Sequence, residues 1–451
     1  GAHGPALAAG VLMAHALSIS DGTTTFSLST TNCVLVQYTP AEPQKGENTV
    51  TETIEVMFYA ASVAAMRTAI DTLQKLLDAA SRRQERGKGP VVYLLYQPDG
   101  DATAWRSRLI DWRFEYNENT LRAWGQAKLP ASLIIERDAV REGDLTQIPL
   151  TNGNGTNNTT GLTVSLHNAG TAYSYAQIAG SAVTGSAPAP VQLELTNNTG
   201  GSVTYYEVLV ANNAFSDPAN FPHVLQAESA LVSGSGTVSS DATCSNGQYV
   251  GWSFTNSSAQ QYTLSQTLLQ DALGYDFHLL ARFRSQTARV FVRPHIYDAT
   301  GMFVLWSGDE VEIPQVAPSV FDLGVIPLPP GGYSTAYGAM RLWLAWRAEG
   351  SVGALDTDFF AFFPADTFRR LRVPVTVSSS GIIVDDGIEG RAYLRTGTAE
   401  LPVVQPQGMP LLVWPGMTQR LYFTWSLFNW TAPITQTFSV KAWYRPRRYT
   451  F

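Results

Sequence analysis

The side chains on this chain best suited to chemistry are aromatic rings rather than titratable groups. In RLWLAWRAEG the two-residue period of a strand puts Leu342, Leu344 and Trp346 on one side and Arg341, Trp343, Ala345 and Arg347 on the other. Trp346 is therefore expected in a core and Trp343, flanked by arginines, at the surface. An exposed ring beside hydrogen-bonding groups is what stacking against a sugar requires. Trp252, Tyr275, Trp306, Tyr333 and Tyr337 are further carriers of that chemistry in the same region.

The groups that would serve catalysis are not arranged for it. His3, His15, His167, His223, His278 and His295 are scattered, with no His-x-x-x-His spacing. No Gly-x-Ser-x-Gly elbow occurs, and Cys33 and Cys244 are too few and too far apart for a zinc site. Glycoside cleavage needs two carboxylates facing each other across a cleft. Adjacent pairs such as Asp309-Glu310 and Asp385-Asp386 arise in any chain with 37 acidic residues. SGSGT and GGSV lack the strand-to-helix setting of a phosphate loop. The expectation is a protein that is not an enzyme, with no catalytic residues, and with two free thiols rather than a disulfide.

Composition narrows the partners. Charged residues make up 15% of the 451, against about 25% in an average soluble domain. The formal net charge of −7 offers no basic surface for phosphates, so no specific nucleic acid is expected. The apolar stretch from Ala6 to Ile19 is interrupted by His15 and Ser18 and is too short to span a bilayer. It is read as an N-terminal strand or arm, with no membrane insertion.

These residues must be positioned by strands. GTTTFSLST, CVLVQYTP and TVTETIEVMFYA alternate with period two, and then the period changes. Val63, Met66, Ile70, Leu73, Leu77 and Ala80 recur at three- and four-residue steps, predicting one amphipathic helix capped by Ser62. SRRQERGKG closes that helix, with Gly87 and Gly89 as stop signals. Strands resume with PVVYLLYQP and a turn at Pro98-Asp99-Gly100. LTNGNGTNNTTG reads as a linker, after which short strands follow at the spacing of a sandwich. The fold class is mainly β: several β-sandwich or jelly-roll domains, with one amphipathic helix in the N-terminal domain. The expected domains are residues 1–150, 151–221, 222–365 and 366–451, the third interrupting a sandwich built from the second and fourth.

The order of DGTTTFSL, TVTETIEVMF, SVAAMRTAIDTLQKLLDAA and LIDWRFEY leading to LPASLIIERDAVREGD resembles the N-terminal half of siphophage distal tail proteins. The C-terminal run GIIVDDGIEGRAYL, GMPLLVWPGMTQRLYFTW and FSVKAWYRPRRYTF is similar to the end of that family's galectin-like second domain. There a Pro-Gly turn, here Pro415-Gly416, precedes a strand, and the chain closes with Tyr444-Arg445-Pro446-Arg447. A proline after the last strand is expected to end pairing, because it has no N–H to donate. LQAESALVSGSGTVSSDATCSNGQYVGWSF, from Leu225, looks like the opening of an inserted carbohydrate-binding-module-like jelly roll.

The resemblance implies a structural component of the virion tail tip. Identical copies would form a ring, by analogy a hexamer, that joins the tail tube to the adsorption apparatus. The implied partners are the tail tube, tape measure, tail hub and receptor-binding protein, with host cell-surface glycan as a further one. For the insertion it implies glycan binding by Trp252, Trp306 and Trp343, and a structural calcium between Glu228 and Asp358 with Asp356 beside it. The competing expectations are a secreted or surface carbohydrate-binding protein, and a tail-tube or decoration protein.

Overall fold

A computed structural model describes residues 16–30, 32–44, 46–116, 128–153, 155–157, 159–165, 175–213, 224–233, 236–264, 276–286, 289–313, 319–328, 340–427 and 437–449. Tyr275, Tyr333, Tyr337 and most of the N-terminal apolar stretch lie outside these residues. The chain is mainly β, with antiparallel sheets and two helices among the described residues. It divides into two compact units. The first comprises residues 1–145, 185–187 and 445–451, and the second residues 146–184 and 188–444.

In the first unit, strands β1 (Ala16–Ser20), β2 (Thr25–Ser27), β3 (Cys33–Tyr38) and β4 (Thr49–Tyr59) precede helix α1 (Val63–Arg86). Strands β5 (Tyr93–Gln97), β6 (Trp105–Tyr116), β7 (Lys128–Asp138) and β8 (Arg141–Glu142) follow. The sheet order is β2-β1-β5-β6-β7-β4-β3, so β2 and β3 form its edges. The helix forms where its periodicity predicts. The Ser62 hydroxyl accepts from the Ala65 N–H at 3.2 Å, and Gly87 takes the left-handed conformation at φ +64°. Met66, Ile70, Leu73, Leu76, Leu77 and Ala80 bury one face against Leu17, Ile19, Leu94, Leu109 and Leu133.

The alternation of β4 points Val50, Ile54, Val56 and Phe58 inward, and Glu52 with them. A buried carboxylate needs partners. Glu52 receives Arg137 from β7, Arg141 from β8 at 3.0 Å, the Tyr38 hydroxyl at 2.8 Å and the Ala41 N–H at 2.8 Å. Both arginines are as buried as the glutamate.

The last described strand of the chain also belongs to this unit. Pairing of the strand Thr437–Tyr444 ends before Arg445 and Pro446, as expected; beyond the proline a further short strand begins, in which Arg447 pairs with Glu142 and Arg448 with Arg141. The Arg447 guanidinium donates to Glu142 at 2.5 and 3.0 Å, and the Gly143 N–H donates to the Pro446 carbonyl at 2.8 Å. Gly185, at φ +114°, lies directly on the Arg447 backbone, where a Cβ would clash.

Among the described residues, the second unit contains a sandwich of two eight-stranded sheets drawn from the segments 146–213 and 368–444. Leu193, Leu195, Val208, Val210, Ile383, Leu421, Phe423 and Val440 fill the space between them. The segment read as a linker is a β-hairpin within this unit: Leu150–Asn152 pairs with Gly155–Asn157. The Asn-Gly composition that punctuates linkers also builds hairpin turns. Pro415-Gly416 forms the expected turn, with Gly416 at φ +73°.

The described residues between 224 and 364 form a ten-stranded arrangement between the sandwich's two segments of chain. Its spine is the strand Arg341–Pro364, which pairs with Gln248–Thr263, Asp276–Gln286 and Val290–Tyr297. Near its end Phe359, Phe360, Ala361, Phe362 and Phe363 are all buried, although alternation would expose half of them. They share a core with Leu209, Ala211, Phe368 and Tyr422 of the sandwich, so both faces of the strand are covered. Cys33 and Cys244 are free and buried, and burial pushes the Cys33 thiol up to about 12. No helix among the described residues is long and apolar enough to cross a membrane.

Candidate functional site

The alternation that buries Leu342, Leu344 and Trp346 leaves Trp343 half-buried on the opposite face of Arg341–Pro364. The neighbouring strand VFVRPHIY follows the same rule: Val290, Val292, Pro294 and Ile296 point inward, Phe291, Arg293, His295 and Tyr297 outward. Register places Phe291 opposite Arg347, Arg293 opposite Ala345, His295 opposite Trp343 and Tyr297 opposite Arg341. Trp343 and Tyr297, diagonal neighbours, stack with centroids 4.3 Å apart and planes 27° from parallel.

Polar side chains frame this pair. The His295 Nδ1 lies 2.7 Å from the Ser307 hydroxyl, and Arg341 donates to the Gln261 amide oxygen at 2.7 Å. Burial, with the nearby Arg293 charge, holds His295 below its ordinary pKa and therefore neutral at physiological pH. Further along, Arg347 pairs with Glu310 at 2.5 Å and Arg289 with Glu312 at 2.6 Å, and both guanidiniums lie over the Phe291 ring. The small Ala345 floors a depression of about 220 Å³, lined also by Arg293, His295, Glu310 and Arg347.

The three tryptophans expected to bind glycan do not gather. Trp343 lies on the outer face. Trp306 pairs with the buried Ile296, packs partly against the core and borders a separate cleft of about 520 Å³. In that cleft Asp322 is already engaged by His278 at 3.1 Å, Arg370 at 3.0 Å and the Gly324 N–H at 3.0 Å. Trp252 is a correction: at 3% exposure it is a core residue and offers no ring to a ligand. Its strand parity with Val250 and Phe254 in YVGWSF carries that signal in the sequence. The same parity would have found Tyr297, His295 and Arg293, which sequence reasoning missed.

Glu228 and Asp358 reach the same short loop but not a shared cation. Asp358 is fully buried, paired with Arg282 and accepting from the Ser245 N–H at 2.9 Å. Glu228 accepts from the Asn246 side chain at 3.1 Å. Asp356 pairs with Arg284 at 2.8 Å. A guanidinium thus supplies the positive charge that calcium was expected to supply, and the two cannot occupy one position. Among the described residues no group of three or more His, Cys, Asp or Glu side chains is placed to hold a metal. This donor set does not fit a hard cation, which wants six to eight oxygens. EDTA is accordingly expected to leave the thermal midpoint unchanged; a rise of several degrees on adding millimolar calcium would contradict this assignment.

No protein-family model matches the chain, and no curated protein does. Among solved structures, the chain is similar to the SPP1 Dit protein, described as a paradigm of the hub adsorption apparatus in phages infecting Gram-positive bacteria. Identity there is 8%, covering 77% of this chain and 99% of that one, with a TM-score of 0.23. The phage P2 baseplate in its activated conformation with Ca matches at 10% identity, covering 96% and 98%, with a TM-score of 0.27. An exo-β-1,3-galactanase from Phanerochaete chrysosporium with β-1,3-galactotriose matches at 11% identity, covering 74% and 82%, with a TM-score of 0.21. Scores of this size carry no argument about function.

Proposed function

We propose that this chain is a structural protein of a phage tail tip, a distal tail protein whose first unit assembles into a ring and whose second unit displays an accessory face to host glycan. The observation that carries the reading is the discontinuous first unit. A sheet with one capped helix is left by the chain at Leu145 and rejoined by the strand Arg447–Arg448, and its N-terminal segments follow one another in the order on which the sequence resemblance rests. The edge strand β3 adds support. Among the described residues it pairs only with β4, and it exposes Val34 and Val36, the latter at 62%. An apolar open edge is a liability on a monomer and an asset in a closed ring, where a copy covers it. The role is mechanical and adhesive rather than catalytic. Hexamers, the tail tube and hub as neighbours, and a position at the tail tip are parts of the same proposal.

The test is the solution mass of the purified chain with negative-stain images. Closed rings are expected, and Val36→Glu is expected to convert them to monomers with unchanged circular dichroism. A parent chain that stays monomeric at every concentration would overturn the ring. A second reading, a monomeric carbohydrate-binding protein, draws on the Trp343–Tyr297 stack and predicts glycan binding without assembly.

A further inference from the structure

The outer face of residues 290–297 and 341–347 is a small grid with an uneven charge balance. Arg289 and Arg347 are neutralised by Glu312, Glu349 and Glu310. Arg341 donates to the neutral Gln261 amide, and the exposed Arg293 makes no ion pair within 4 Å among the described residues; Glu310 is close enough to feel its charge but is itself paired with Arg347. These two guanidiniums occupy opposite corners around the Trp343–Tyr297 stack. Arg293 and Trp343 are diagonal neighbours across the strand pair, about 7–8 Å apart in backbone terms. That spacing admits one sugar ring, and beside it Ala345 leaves a hollow for a substituent.

Building on the proposed glycan contact, we infer that this face binds an anionic polysaccharide, with a sugar ring packed on Trp343 and its carboxylate or phosphate held by Arg293. A planar guanidinium recognises either anion through paired N–H bonds. Neutral His295, with Nδ1 engaged by Ser307, keeps Nε2 for a ligand hydroxyl. Nonspecific attraction is not the source of affinity, because the whole chain carries −7 and repels anionic polymers at long range.

The experiment titrates the full-length protein with polygalacturonate, with poly(glycerol phosphate) and with neutral dextran, following tryptophan fluorescence and calorimetric heat at two salt concentrations. Binding to at least one anionic polymer is expected, with dextran at least tenfold weaker. Arg293→Ala and Trp343→Ala should each weaken binding about tenfold or more, while Arg293→Lys retains part of it. The uronate and phosphate arms distinguish the two sources of the anion. No binding to either charged polymer, equal binding to dextran, or indifference to Arg293→Ala overturns the inference. Ring formation is scored in the same samples. Rings without polymer binding sink this inference and leave the tail reading standing; binding by a monomer does the reverse.

Discussion

Replacing Glu52 by glutamine is expected to lower the stability of the first unit by about 3–5 kcal/mol, because Arg137 and Arg141 would remain buried with no counter-charge. For a unit of this size that is a fall of roughly 10 °C or more in its thermal midpoint. The effect has a pH signature. Burial alone would raise the Glu52 pKa, but the bond from Arg137 and the charges of Arg137 and Arg141 outweigh it and hold the carboxyl below its ordinary 4.5. A depressed carboxylate contributes stability above its unfolded value and loses that contribution as pH falls through its folded value. The gap between parent and Glu52→Gln should therefore be full at pH 7 and narrow as pH falls from the unfolded value of 4.5 through the lower folded one. Urea titrations at pH 7 and pH 3 measure it. A gap under about 1 kcal/mol at neutral pH would refute the account.

The second large effect lies in the inserted segment. Burial lowers Arg282 to about 10, so it is still charged at neutral pH, and it neutralises Asp358 while donating to the Thr243 carbonyl at 3.1 Å. Arg282→Met strands a buried carboxylate and is expected to destabilise the second unit by about 3–5 kcal/mol, as is Asp358→Asn by stranding the cation. Removing both charges together, as Arg282→Met with Asp358→Leu, should recover much of that loss, since an apolar pair leaves nothing unpaired. Fluorescence-detected melting of the three variants decides the matter. A double variant as unstable as the sum of the singles would mean that the pair is not what holds this region.

Several elements were legible because their signals are local. Helix α1 declares itself through spacing, cap and stop residues within one stretch, and the structure reproduces all three. The split of RLWLAWR between faces is equally local. Alternation, however, separates two faces without saying which one is covered. For GWSF the companions Val250 and Phe254 mark the buried side, and Trp252 goes with them. In DFFAFFP alternation fails outright, because the strand is packed on both sides by partners distant in sequence. Charge pairs were the least readable of all. Glu52 sits at an inward position of β4, but its neutralising arginines come from β7 and β8, and nothing near Asp358 in the sequence announces Arg282. The resemblance to a jelly-roll module implied calcium at Asp358, and the sequence showed its carboxylate without the counter-charge that answers it.

The strand at Arg447 and Arg448 also has a consequence for the order of events during synthesis. Its partner β8 emerges from the ribosome early, but everything from Thr146 to Tyr444 must be made before the strand exists. At roughly 5–20 residues per second that is a wait of tens of seconds. Through all of it Glu142 lacks Arg447 and the Gly143 N–H lacks its carbonyl. The first unit is thus completed only after the second has been made, and its completion is timed by the translation of the residues between rather than by its own folding rate.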